Sequence, residues 1–169
     1  MKIYNCFGEE IKPGDLRLIS DKYGRIHSDG RIEINWTSEN EDVDNNGYDK
    51  HNVEPNGQYT INIELERGTR LCRFGPPFGF TTSPIGTDYD LMALPFVKET
   101  REYHEYIVIE DGLSVKLIVE KGITAAMFNS PGGAVQYTHM QSIEEEIYNK
   151  KLKEDMTWLQ QKNNPVNLH

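Results

Sequence analysis

Residues 104–120, HEYIVIEDGLSVKLIVE, place two apolar runs on either side of Asp111-Gly112. Both runs read as strands, and Asp-Gly is a pair that tight hairpin turns favour because it tolerates positive φ. The expected unit is therefore an antiparallel hairpin. Working toward the N-terminus, QYTINIELE at 58–66 alternates Tyr59, Ile61, Ile63 and Leu65 with polar neighbours, so one face of that strand is buried. Arg67-Gly68-Thr69 then turns into RLCRFG at 70–75. Further back, LRLIS at 16–20 and RIEINW at 31–36 read as strands, with Ser28-Asp29-Gly30 as a turn between them. Residues 37–57 are acidic, amide-rich and punctuated by Gly, as expected of a surface loop. Toward the C-terminus, AVQYTHM at 134–140 reads as a short strand leading to the one strong helix signal. Ser142 and Glu145 form a capping box there, and Ile143, Ile147, Leu152, Met156 and Leu159 are expected along one helical stripe. Residues 163–169 are expected to fray. No strand–helix–strand alternation and no internal repeat is present. The fold class is α+β, a single compact domain, mostly antiparallel β-sheet, with a few helices including one near the C-terminus.

At 169 residues the chain has the length of one domain and can bury a core of its own. With 37% hydrophobic residues it is globular, and no apolar run is long enough for a transmembrane helix. The opening MKIYNCFGEEIKPGD lacks the apolar segment of a secretory signal, so a cytoplasmic location is expected, or delivery as an effector without such a signal. The net charge of −9, from 18 basic and 27 acidic residues, argues against nucleic acid as a partner, and no membrane association is expected. Cys6 and Cys72 are far apart and have no metal-ligand spacing, so two reduced core thiols are expected, with one disulfide as the alternative.

Several residues carry possible chemistry. Pro131-Gly132-Gly133 ahead of a polar Gln136 suggests backbone held close to something, and a ligand is the expected occupant. Gln136 alternates away from Val135 and Tyr137. On a strand lining a cleft, its amide would hold a hydroxyl and a water as donor and acceptor; the alternative is a surface Gln. Arg73 ends a strand before Pro76-Pro77 and Gly79, where its planar fork suits phosphate; a pairing with a surface carboxylate is the plainer account. Phe74, Phe78 and Phe80 could stack on a planar ring or belong to the core. His104, between Tyr103 and Tyr106, could act as general acid or base with Glu102 or Glu105, or be structural. The remaining histidines have no paired spacing, so no metal is expected at the site. DVDNNG at 42–47 matches the first half of a calcium loop through Asp42, Asp44, Asn46 and Gly47, but Val53 stands where the bidentate Glu belongs. An acidic turn is the preferred account there, with calcium a weak expectation.

Four segments together, CRFG at 72–75, SPIGTDYDLMALP at 83–95, YHEY at 103–106 and GGAVQY at 132–137, resemble the tuberculosis necrotizing toxin family of NAD(P)+ glycohydrolases. The order and spacing fit over roughly residues 65–155. The resemblance implies a catalytic core at 58–162, with residues 1–57 as a β-rich extension carrying the acidic loop and packed on the same domain. It implies Gln136 and His104 as catalytic residues and Arg73, Phe74, Phe78, Phe80, Gly132, Gly133 and Tyr137 as the substrate-binding set. The substrate implied is NAD+, with no separate cofactor. An ADP-ribosyl cyclase and a non-catalytic nucleotide-binding module are the alternatives, and an immunity protein is a possible partner. Three positions depart from the family pattern: Cys72 stands in place of Asp, Met92 in place of Arg, and Ala134 in place of the third Gly.

Overall fold

The computed structural model describes residues 3–4, 10–11, 24–26, 32–34, 41–44, 46–94, 101–109, 116–128 and 130–159. Two short antiparallel pairs come first, β1 (Ile3–Tyr4) with β2 (Glu10–Ile11), and β3 (Gly24–Ile26) with β4 (Ile32–Ile34). β4 falls within the expected strand at 31–36. The expected strand at 16–20, the turns at 28–30 and 111–112, Cys6 and the tail lie outside the described residues.

The remaining strands are β5 (Thr60–Leu65), β6 (Arg70–Phe74), β7 (Thr81–Pro84), β8 (Tyr103–Val108), β9 (Leu117–Ile123), β10 (Val135–His139) and β11 (Leu152–Glu154). They form one sheet in the order β11-β8-β6-β7-β10-β9-β5, with every neighbouring pair antiparallel. The alternation in β5 is as expected, with Leu65 buried and Asn62 and Glu64 exposed.

The hairpin reading of 104–120 does not hold. β8 and β9 are strands, but β6, β7 and β10 separate them. Turn chemistry is local, whereas register is set by which partner completes a buried face. Val119 and Leu117 oppose Ile63 and Leu65 of β5, while Tyr106 and Val108 lie between Leu71 of β6 and the Leu152 end of β11.

The long helix also stops early. The α-helix α1 spans Ile143–Tyr148, and Ser142 Oγ accepts from the Glu145 amide at 3.2 Å, as the sequence suggested. Lys150 then takes a φ of 61° and the chain returns as β11, which pairs with β8. Leu152 is buried as a strand residue and Met156 is exposed. For Ile143, Ile147 and Leu152 a helical stripe and a turn into a strand give the same inward position, so periodicity alone did not separate them; Met156 is the stripe residue that departs.

One face of the sheet and α1 enclose the main core: Leu65, Leu71, Tyr106, Val108, Leu117, Val119, Ile143 and Leu152. Across the sheet, Cys72, Phe74, Tyr89, Met92 and Ala134 form a second cluster, with the 3-10 turn Tyr89–Leu91 and residues Leu91 and Leu94 packed over it. Val43, Ala125, Met127 and Phe128 form a third.

Candidate functional site

The site is built around β7 and its neighbours. The pairings Cys72↔Ser83 and Tyr137↔Thr82, followed through strand alternation, put Gln136 on the same face as Cys72 and Ser83. Arg73, Tyr137 and His104 then face the other way, since Arg73 opposes His104. The predicted residues therefore fall into two groups on opposite sides of the sheet.

On the Gln136 side lies a cavity of about 40 Å³, bounded by Cys72, Phe74, Thr81, Thr82, Ser83, Met92, Leu94, Thr124 and Gln136, with Arg73 bordering it from β6. That is the room of a few water molecules. Among the described residues the lining holds hydroxyls, a thiol, one carboxamide, the Arg73 guanidinium and apolar groups, and no Asp, Glu or His. Burial is the main reason the Cys72 thiol is pushed up to about 11. The thiol donates to the Pro84 carbonyl at 3.4 Å.

Thr124 ties three segments together at the cavity wall. Its hydroxyl donates to Leu91 O at 2.7 Å and accepts from the Ala134 amide at 3.0 Å. Its carbonyl accepts from the Gly133 amide at 2.9 Å. At Gly132 the close approach is to the chain itself, whereas a Cβ on Gly133 would meet nothing within 4 Å. A Cβ on Gly132, where φ is +68°, would lie 2.5 Å from Thr124 O and 2.6 Å from the Ala125 carbonyl carbon. The Gly132 amide donates to Ser130 Oγ, which donates in turn to Asp90 O.

On the opposite face, Arg73 is woven into the loop at 75–80. Nε donates to Pro76 O at 2.9 Å, and Nη1 to Thr81 O and Oγ1 at 3.0 and 3.1 Å. Burial lowers its pKa, and the nearby Arg101 adds to that, while Tyr106 and Glu102 oppose it. The glycines of this loop make room for the guanidinium. A Cβ on Gly79 would lie 1.9 Å from Arg73 Nη2, and one on Gly75 would lie 2.8 Å from Arg101 Nη2 and 3.2 Å from Arg73 Nη2. Two guanidinium ends thus flank Gly75. Phe78 and Phe80 stand on the same loop and are 66% and 49% exposed, so their rings are available. Phe74 is a core residue, in contact with Tyr89 and Tyr103 at centroid distances of 4.8 and 4.9 Å.

His104 is held through both ring nitrogens, Nε2 to Glu102 and Nδ1 to Glu154. Of the two acids expected as its partner, Glu102 is one, and Glu105 is not. Strand alternation turns Glu105 to the other face, where it accepts from Arg70 and Tyr103 at 3.2 and 2.6 Å. Beside His104, the Tyr106 hydroxyl is buried without a hydrogen-bond partner. Its pKa is raised chiefly by burial, with Glu154 adding to the shift and Arg73 opposing it. Tyr137 packs, half-buried, against the main core.

The acidic turn meets Gln136 through Asn46. Asp44 Oδ1 accepts from the amides of Asn46 and Tyr48 at 2.8 and 3.0 Å, and Asp42 Oδ1 meets His51 Nε2 at 2.8 Å. Among the described residues no group of three His, Cys, Asp or Glu is arranged to hold a metal. Asn46 O accepts from Gln136 Nε2 at 3.0 Å. Sequence reasoning missed Asn46 in this role, and also Tyr48, Arg101 and Glu154. Tyr48 and Glu154 carried no motif, since each acts through a contact distant in sequence.

A family model described as tuberculosis necrotizing toxin matches residues 64–154. Among solved structures, the chain is similar to the tuberculosis necrotizing toxin complexed with its immunity factor, with a TM-score of 0.55 and 19% identity, over 89% of this chain and 74% of that one. At that identity the likeness is one of fold. No curated protein matches the chain.

Proposed function

The chain belongs to the tuberculosis necrotizing toxin family, and on that premise we propose that it cleaves the nicotinamide–ribose bond of NAD+ to give nicotinamide and ADP-ribose. The observation that carries this reading is the carboxylate-free cavity with Gln136 in its wall. An ordinary glycoside needs an acid to protonate its departing oxygen. Nicotinamide leaves a pyridinium as a neutral molecule, taking the electron pair of the C1′–N bond with it, and needs no proton. What remains is to position the sugar and a water. Water oxygen then bonds to C1′ and releases a proton to solvent. Gln136, with donors and an acceptor, suits both the ribose and that water.

In this reading Arg73 organises the loop that presents Phe78 and Phe80 to the leaving base, and with Arg101 it places positive charge beside Gly75 for the pyrophosphate. His104, braced by Glu102 and Glu154, sets the end of the adjoining strand. The cavity is smaller than any dinucleotide, so binding displaces the loop or the wall at 89–94. The apolar part of the lining, Cys72, Phe74, Met92 and Leu94, favours a second outcome. With water excluded, a substrate nitrogen attacks C1′ and closes a cyclic ADP-ribose. The toxin of the similar structure is bound to its immunity factor, and a protective protein partner is proposed here by analogy.

The test is to incubate the protein with NAD+, and separately with NADP+, and to resolve products by chromatography with mass detection. Linear ADP-ribose with nicotinamide supports the hydrolase, and a product one water lighter supports the cyclase. No nicotinamide release over hours at micromolar enzyme overturns both and leaves a binding module.

A further inference from the structure

Tyr48 lies outside the family-matched segment, yet its ring is fully buried over β9. Gly122 is what makes the space: a Cβ there would come within 2.4 Å of Tyr48 Cδ1. The hydroxyl joins β9 to β10, at 2.6 Å from Thr138 Oγ1, 3.2 Å from Glu120 O and 3.3 Å from the main-chain oxygen of Gln136 itself. The residues just before it form a tight turn. Asp44 Oδ1 gathers the amides of Asn46 and Tyr48, and Gly47 adopts a φ of +86°. Gly47 O accepts from the Ala125 amide at 2.9 Å, and Asp49 donates to Ile123 O at 2.8 Å. The turn is thus pinned to the sheet immediately after Asn46, through Gly47 and Asp49. The Asn46 carbonyl, an acceptor only, takes a hydrogen bond from Gln136 Nε2. A carbonyl in that place dictates which end of the carboxamide faces it, leaving Oε1 and one N–H of Gln136 for other partners.

We propose that Tyr48 is a positioning residue for Gln136: through the turn at 44–48 it fixes the orientation of the Gln136 amide in the cavity wall. The proposal rests on the reading of Gln136 as the group that holds ribose and water. A segment outside the family-matched part of the chain then completes the site.

The experiment uses the full chain with Tyr48→Phe, Asp44→Ala and Asp44→Asn. Tyr48→Phe keeps the ring against Gly122 and removes the hydroxyl. Asp44→Asn keeps an oxygen that can accept the two amides, and Asp44→Ala does not. Assayed at least 15 °C below each variant's melting point, Tyr48→Phe and Asp44→Ala are expected to lower kcat for nicotinamide release by roughly 10–100-fold, the scale of a misplaced reacting group. KM should change much less, and Asp44→Asn should recover most of the turnover. Unchanged kcat in Tyr48→Phe and Asp44→Ala overturns the proposal. Side-chain amide NMR gives a readout independent of turnover, with the Gln136 signal assigned by its loss in Gln136→Ala. A shifted or averaged Gln136 NH2 pair in Tyr48→Phe supports positioning, and an unchanged pair refutes it. If the wild-type protein releases no nicotinamide, the proposed reaction fails, and the NMR result still decides the role of Tyr48.

Discussion

Substituting Gly122 by Ala tests the packing that seats the acidic turn. The added methyl would lie 2.4, 2.7 and 3.0 Å from Cδ1, Cε1 and Cγ of Tyr48, well inside contact distance. The ring has little freedom to retreat, being fully buried and tethered by its hydroxyl. Overpacking of this kind costs about 1–3 kcal/mol if the ring shifts in place. If the ring is expelled, the loss is that of a buried aromatic, about 3–5 kcal/mol. The expected destabilisation is therefore about 2–4 kcal/mol. At roughly 2–4 °C per kcal/mol for a chain of this size, the melting temperature falls by about 5–15 °C. Urea denaturation of Gly122→Ala, Tyr48→Ala and the double variant closes the cycle. With the ring gone, Gly122→Ala should be neutral within about 0.5 kcal/mol, since Ala suits a strand no worse than Gly. Equal cost in both backgrounds, or no cost in the wild type, would refute the claim that Gly122 exists to admit Tyr48.

Three further outcomes follow from the site. Gln136→Ala should reduce nicotinamide release by about 100-fold or more while the melting temperature stays within a few degrees, since Gln136 is only partly buried and its side chain donates to Asn46 O. Met92→Arg buries a guanidinium among Cys72, Phe74, Tyr89 and Ala134, where no carboxylate lines the cavity. It should cost about 3–5 kcal/mol by urea denaturation, and adding Cys72→Asp should cost less than the sum of the two single changes. The Cys72 thiol supplies a pH test. Its pKa is raised from 9.0 to about 11, so between those values the unfolded chain loses this proton while the folded one keeps it. Its contribution is complete below pH 9 and is lost as pH rises toward 11, by about 2–3 kcal/mol in all. In Cys72→Ala the fall in stability between pH 9 and 10 should flatten. A slope unchanged from wild type would contradict the burial argument.

The alternation of β5 and the cap at Ser142 were legible because each depends on neighbours within four residues. The expected hairpin failed because Asp111-Gly112 speaks only for a turn, while Leu117 and Val119 are claimed by β5 from more than fifty residues away. Leu152 was misassigned for a similar reason: its inward position is the same on a helix stripe and on an edge strand. At the site, alternation placed Gln136 opposite Tyr137 correctly but said nothing of Asn46, ninety residues distant. The same rule, applied to β8, would have separated Glu105 from His104 and left Glu102 as the nearer choice. Of the glycine pair, Gly132 is approached closely by Thr124 and Ala125, while a Cβ on Gly133 would meet nothing within 4 Å.

The sheet divides unevenly. β5 meets β9 through six paired residues, β9 meets β10 through five, and β6 meets β8 through five. The short β7 joins these blocks through two pairs on each side, and one of its four residues is Pro84, which has no amide to give. The main core draws on both blocks, so it is the thin backbone pairing at β7, and not the packing, that makes β7 the expected seam of the sheet. Arg73 stands on one bank of that seam and Gln136 on the other. Amide exchange should therefore be faster along β7 than in β9, and the distance between the two halves of the site becomes the coordinate most sensitive to breathing of the sheet.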